Sequence, residues 1–111
     1  MPRFLALYRS SVSAQEQMAS ATPEQMKSGM DAWMAWAGQA GSALTDLGAP
    51  LKGTRHLEGG AESGSTSDVS GYSLIEAAST DAATALLQGH PHLNVDGNSI
   101  ELLELMAMPG A

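Results

Sequence analysis

The His90-Pro91-His92 segment is the part of the sequence best suited to chemistry. Proline favours an extended conformation in the residue before it, and side chains two positions apart in an extended chain point the same way. The two imidazoles could therefore meet one ligand as acid and base, or as metal ligands. The alternative is that Pro91 only ends a helix and both histidines lie in a polar loop. His56 alternates with polar residues, so we expect it on a solvated strand face, further from any pocket than His92.

A tightly held metal and a cofactor are not expected. The chain has no cysteine, and no third histidine lies near the pair in sequence. It also lacks a glycine-rich phosphate loop, a Gly-x-Ser-x-Gly elbow and a His-Glu-x-x-His motif. Glu101 and Glu104 are three apart in a predicted strand and face opposite sides, so they cannot act as a carboxylate pair. The common nucleotide, hydrolase, zinc-protease and glycosidase signatures are thus absent.

Four further residues are candidates for binding a substrate. Tyr8 and Arg9 end the first predicted strand, where polar tips can reach a pocket, and Asp46 lies near the predicted exit of the long helix. Trp36 lies off the main apolar stripe of that helix, which suggests the lining of a cleft or an interface. The alternatives are a core aromatic whose hydroxyl reaches water for Tyr8, and a solvated residue for Asp46.

Composition limits the class of protein. A chain of 111 residues has the size of one domain, and 43% apolar residues is in the globular range. The formal net charge of -7 and the scattered basic residues argue against nucleic acid as a partner. No apolar run approaches the roughly 20 residues that span a bilayer, so no membrane association is expected. Without cysteines or a leader, the expected location is cytoplasmic.

The hydrophobic pattern predicts strands at 3–8, 51–58, 71–77 and 99–106. Between them we expect a polar segment at 10–22 that is a loop or a loose helical turn around 14–18, a long helix from the Thr22-x-x-Gln25 capping box to Gly48, and a short helix at 81–88. A flexible Ser/Gly segment, 59–71, connects the middle strands. This order, β-α-β-β-α-β, matches a split βαβ motif. The long helix is expected to face the core with seven residues at spacings of three and four: Met26, Met30, Trp33, Ala37, Ala40, Leu44 and Leu47.

Several stretches together resemble the YCII-related proteins, a group within the dimeric α+β barrel superfamily: RFLALYR, TPEQM, DLGAPL, SGYSLIEA, HPHL and SIELLELM. The resemblance spans nearly the whole chain, 1–111. It implies an α+β, ferredoxin-like protomer with an antiparallel sheet, a sheet-to-sheet dimer and an undetermined small-molecule role. The Asp-Gly-Pro-Phe motif of a large branch is missing. The His-Asp pair proposed for some members does not carry over either, because the first helix has no histidine.

Both faces of the predicted sheet are apolar, which favours a homodimer through the sheet face. In the first strand, Phe4, Ala6 and Tyr8 alternate with Leu5 and Leu7. The two helices land on the same face because both crossovers are right-handed. Without a partner sheet the apolar side chains of the other face would remain exposed to water, which is unfavourable. A second copy of the chain would bury them.

Two functions remain open from the sequence. One is a cofactor-free lyase or isomerase that handles a small molecule and uses His92 or His90 as acid or base. The other is a non-catalytic metabolite-binding or accessory module. A purely structural dimer, without any pocket, is a third interpretation.

Overall fold

A four-stranded antiparallel sheet forms the centre of the protein. In the computed structural model, which describes residues 1–110, the strand order is β2-β5-β1-β6. The strands are β1 (Arg3–Arg9), β2 (Leu44–Pro50), β5 (Val69–Glu76) and β6 (Ser99–Glu104). The apolar runs predicted to be strands at the start, the middle and the end of the chain are therefore confirmed, and they pair as neighbours.

Three helices accompany the sheet: α1 (Ala14–Ser20), α2 (Pro23–Ala40) and α3 (Thr80–Leu87). The predicted capping box is present at the start of α2, where Thr22 and Gln25 exchange side-chain and backbone hydrogen bonds. None of the helices in the described part of the chain has the length and apolarity needed to cross a membrane. The class of the fold is α+β, as the sequence predicts.

The predicted end of the long helix at Gly48 is wrong. Helix α2 ends at Ala40, because Gly41 adopts a φ of 57° and a 3-10 turn, Gly41–Ala43, leads directly into β2. Gly48 belongs to β2 and has a φ of 81°. A Cβ there would overlap the carbonyl group of Tyr72 on the neighbouring strand. This glycine thus permits close approach of two strands and does not stop a helix.

The predicted core-facing stripe of α2 is wrong in its first half. Met26 and Met30 are 51% and 61% exposed, and every residue of 23–32 is exposed. The buried positions are Trp36 and Ala40. The predicted stripe requires a helix that continues through Leu47. The helix is shorter than that, and only its C-terminal half packs on the sheet. The buried face of this half contains Trp36 and Ala40.

The middle of the chain forms a second, two-stranded sheet. Strands β3 (Arg55–Glu58) and β4 (Ala61–Gly64) form a hairpin, and all their residues are exposed. The sequence predicts one strand at 51–58 and a flexible segment at 59–71, so part of that segment is ordered as β4. Strand β4 is short and polar, so it lacks the apolar periodicity that reveals longer elements. In the segment 10–22, the alternative of a helical turn around 14–18 is confirmed by α1.

The core lies on one face of the sheet. Phe4, Ala6 and Ile75 are at most 1% exposed and pack against Trp36, Ala40, Ala83 and Leu87 of the helices. The side chains that alternate with them along the strands point to the opposite face of the sheet and do not belong to this cluster. At the centre of that face they are apolar. They are Leu5 and Leu7 of β1, Tyr72 and Leu74 of β5, and Leu103 of β6.

Candidate functional site

Five aromatic rings pack together where β1, α2 and the 3-10 turn Pro91–Asn94 meet. His90 is at the centre, with ring centroids 4.3 Å from Trp33, 4.3 Å from Trp36 and 4.8 Å from Tyr8. The ring of His92 lies 5.3 Å from that of Tyr8. The structure therefore brings together four of the residues that the sequence singled out, namely Tyr8, Trp36, His90 and His92.

His90 is enclosed and holds one unpartnered nitrogen. The residue is 1% exposed, and its Nδ1 accepts a hydrogen bond from the backbone N–H of His92 at 3.0 Å. The neutral ring therefore carries its proton on Nε2, which has no hydrogen-bond partner among residues 1–110. Burial, with repulsion from His92 second, lowers the pKa of His90 to about 4. The ring is thus neutral near pH 7.

His92 uses both of its ring nitrogens inside the protein. Its Nε2 lies 2.9 Å from the carbonyl oxygen of Arg9 and 3.1 Å from that of Ser99, so Nε2 carries the proton and donates. Its Nδ1 lies 3.4 Å from the Asn98 side-chain nitrogen, which donates to it. His92 therefore joins the end of β1 to the start of β6.

These hydrogen bonds restrict what the two imidazoles can do chemically. In each ring Nδ1 accepts a hydrogen bond and Nε2 holds the proton. Neither ring has a free lone pair with which to remove a proton from a substrate. As arranged, His90 is a neutral N–H donor in an aromatic enclosure, and His92 is a connection between two strands.

Tyr8 and Trp36 have their polar atoms satisfied in the interior. The Ser73 hydroxyl donates to the Leu47 carbonyl at 2.7 Å, so the Tyr8 hydroxyl donates to Ser73 at 2.7 Å. Burial raises the pKa of Tyr8. The expectation that this hydroxyl reaches water is wrong. Trp36 is 4% exposed and its indole N–H donates to the Leu86 carbonyl, so it belongs to the core and not to a cleft wall.

Arg9 and Asp46 lie outside the ring cluster. The Arg9 guanidinium donates to Asp68 at 2.9 Å and to Glu101 at 3.0 Å, and the hydrogen bond to Asp68 is the largest cause of the raised pKa of the guanidinium. Asp46 is exposed on the edge strand β2, where its carboxylate accepts the N–H of Gly48 at 2.8 Å. The predicted position of Asp46 at a helix exit is therefore wrong, because that segment is a strand. His56 is exposed on β3, as expected.

A polar cleft of about 330 Å³ lies beyond the end of β1. Three separate stretches form its walls: the loop after β1 with the start of α1, the segment after β2, and the approach to β5. Neither His92 nor His56 lines it. Sequence analysis did not single out its residues, and the available signal was the density of serines around 10–13 and 63–70. The lining residues are Ser10, Ser11, Ser13, Gln15, Glu16, Leu51, Lys52, Gly53, Ser65, Thr66, Ser67, Asp68, Val69 and Ser70.

Two other features of the described chain bear on ligands. A smaller cavity of about 200 Å³ lies between α3 and β6, with Leu87, Leu93, Ile100 and Leu102 in its walls. Among residues 1–110, no group of three histidine, aspartate or glutamate side chains is arranged to hold a metal ion.

No protein-family model matches the chain, and no curated protein is significantly similar to it in sequence.

Proposed function

We propose that this chain is a non-catalytic module that binds a small metabolite in the polar cleft and acts as a homodimer. The observation that carries the proposal is that the two histidines and the polar cleft lie in different places. The imidazoles that would perform acid or base chemistry are committed to internal hydrogen bonds, whereas the accessible cavity is lined by hydroxyls. A cleft of this size is at the lower end of the range for small-molecule sites.

A ferredoxin-like protomer is part of this proposal. The order β2-β5-β1-β6, with each neighbouring pair antiparallel, is the order expected when two βαβ crossovers interleave. In this arrangement the helices leave one face of the sheet open. That arrangement is also the one implied by the resemblance to the YCII-related proteins, which remains part of the proposal.

The extended shape of the monomer supports burial of further surface against a partner. Its accessible surface is 7622 Å², whereas a compact protein of 11.4 kDa exposes about 5,800 Å². Its radius of gyration is 15.5 Å, against about 13 Å for a compact domain of this length. The excess of about 1,800 Å² exceeds the roughly 800 Å² that each partner buries in a standard interface.

The open face also has the composition of an interface. Leu5 lies between Leu74 and Leu103 in one row across the sheet. Toward the end of β1 the same face becomes charged, because Arg9 forms ion pairs there with Asp68 and Glu101. An apolar centre with a charged rim is typical of protein interfaces. A second copy of the chain offers the same self-complementary surface.

Ligand-observed NMR tests the proposed binding function. Wild-type protein is mixed with a panel of sugars, polyols, amino acids, small carboxylates and nucleosides. At least one class should show saturation transfer, and Thr66→Trp, which fills the cleft, should abolish it. Thr54→Trp, an exposed position outside the cleft, is the matched control. Turnover of a bound compound that is lost in His90→Asn would contradict the proposal and support the catalytic alternative.

A further inference from the structure

We infer that the ligand of the polar cleft is a neutral, polyhydroxylated compound of about monosaccharide size. This inference rests on the proposed function of the cleft as a binding site, and it adds the chemical class of the ligand. Three observations carry it: the hydrogen-bonding state of the serines, the balance of charge on the walls and the volume.

Four serine oxygens in the cleft walls are held in place by the backbone. Each accepts a backbone N–H from a residue two or three positions further along the chain. This local turn geometry fixes the position of the oxygen without using its hydrogen. The pairs are Ser10 with Val12 at 3.2 Å, Ser13 with Glu16 at 3.1 Å, Ser65 with Ser67 at 3.2 Å, and Ser67 with Val69 at 3.2 Å.

The four hydroxyl hydrogens remain for a ligand. A serine hydroxyl has one hydrogen to donate and two lone pairs that accept. In these four serines the backbone occupies a lone pair, the Gln17 amide also donates to Ser10 at 3.2 Å, and no hydroxyl donates to an acceptor among residues 1–110. The cleft therefore presents several donors that are already positioned, which lowers the cost of ordering them on binding. The oxygens of a polyol or a sugar match such donors.

The charges on the walls balance, so the cleft does not select an ion. Asp68 is paired with Arg9 at 2.9 Å. This leaves Lys52 and Glu16, one cation and one anion, both exposed. The net charge of the chain, -7, would further oppose an anionic ligand. A neutral compound can donate to Glu16 and accept from Lys52 without losing an ionic contact.

The volume sets the size of the ligand. A volume of about 330 Å³ lies at the lower end of the range for small-molecule sites, so the cleft suits a small compound such as a pentose or a hexose. Leu51 and Val69 in the walls provide apolar contact for the C–H groups of such a ring. Hydrogen-bond donors, charge balance and size thus agree on one class of compound.

Gly53 offers a selective test of this inference. A Cβ on Gly53 would lie 2.7 Å from the Ser65 hydroxyl oxygen and 2.9 Å from the Ser65 Cβ, so Gly53→Ala should displace Ser65 together with the short stretch of cleft wall that carries it. The control is Gly60→Ala in the hairpin turn, where no atom lies within 4 Å of the added Cβ. Affinity for D-glucose and D-xylose is measured by calorimetry, together with the charged analogues D-gluconate and D-glucosamine.

We expect the neutral sugars to bind best and Gly53→Ala to weaken them about threefold to tenfold, the value of one hydrogen bond. Gly60→Ala should bind as the wild type does. If D-gluconate or D-glucosamine binds in the cleft more tightly than D-glucose, the ligand class is wrong while the proposed function stands. If glucose binds but neither Gly53→Ala nor Thr66→Trp weakens it, the assigned site is wrong. Absence of binding by the whole metabolite panel would refute the proposed function itself.

Discussion

Acid should destabilise the protein through His90, and the size of the effect follows from its burial. The folded-state pKa is about 4, whereas an unfolded histidine titrates near its ordinary value of 6.5. Between these two pH values the unfolded chain binds a proton that the folded protein does not bind. The free energy of unfolding therefore falls as the pH falls from 6.5 to 4. Above this window both states are neutral, and below it both are protonated.

The magnitude can be worked out from the two pKa values. Between pH 7 and pH 4.5 the linkage relation gives a loss of about 2 kcal/mol from His90 alone. That loss is a large part of the 5–15 kcal/mol that is typical for the stability of a whole domain. The rings nearest to His90 belong to Tyr8, Trp33 and Trp36, and none of them carries a negative charge that would pair with a protonated imidazole.

His90→Asn isolates this contribution. Asparagine at position 90 can still accept the backbone N–H of His92, which His90 accepts at the start of the 3-10 turn, but it does not titrate. The assay is urea unfolding followed by tryptophan fluorescence at pH 7 and pH 4.5, at one protein concentration. The loss between these pH values should be about 2 kcal/mol smaller in His90→Asn than in the wild type. The contributions of carboxylates are common to both proteins and cancel.

His56→Asn is the matched control, since His56 is exposed on the hairpin. It should lose stability with falling pH as the wild type does. The reasoning is refuted if His90→Asn and the wild type show the same pH dependence to within about 0.5 kcal/mol, because a buried neutral imidazole would then contribute nothing.

The fold and the proposed dimer lead to three more predictions. Light scattering should give a mass of about twice 11.4 kDa for the wild type. Leu5→Asp on the open face should reduce this mass to that of one chain, whereas Leu57→Asp on the exposed hairpin should leave it unchanged. A monomeric wild type would exclude the dimer. Gly48→Ala should unfold at a lower temperature by several degrees, since its Cβ overlaps a carbonyl of the neighbouring strand, and an unchanged melting temperature would contradict that register. Ser73→Ala should cost about 1–3 kcal/mol in urea unfolding, because it leaves the buried Tyr8 hydroxyl without its partner, and a neutral effect would show that water replaces the serine.

Signals within short segments of the sequence were sufficient to predict the start of α2 and the position of β1. The Thr22-x-x-Gln25 box satisfies the free N–H groups of a helix start within four residues, and the structure has it there. The alternation in 3–8 depends only on the geometry of a strand, and the buried and half-buried faces of β1 follow it. These elements, together with the α+β class, could be predicted because their signals lie within the segments themselves, although β1 needs the distant strands β5 and β6 as hydrogen-bonding partners.

Tertiary structure alone decided the remaining features. Leu44 and Leu47 are three apart and suit a helix stripe, but pairing with β5 makes that segment a strand. The hydrogen bonds that occupy His92 come from residues that are distant in the chain or belong to another element, so its tautomer could not be read from the His-Pro-His spacing. The cleft combines stretches around residues 10, 52 and 66, and only the folded sheet brings these together. Sequence patterns thus predicted elements, whereas the site depended on contacts between elements.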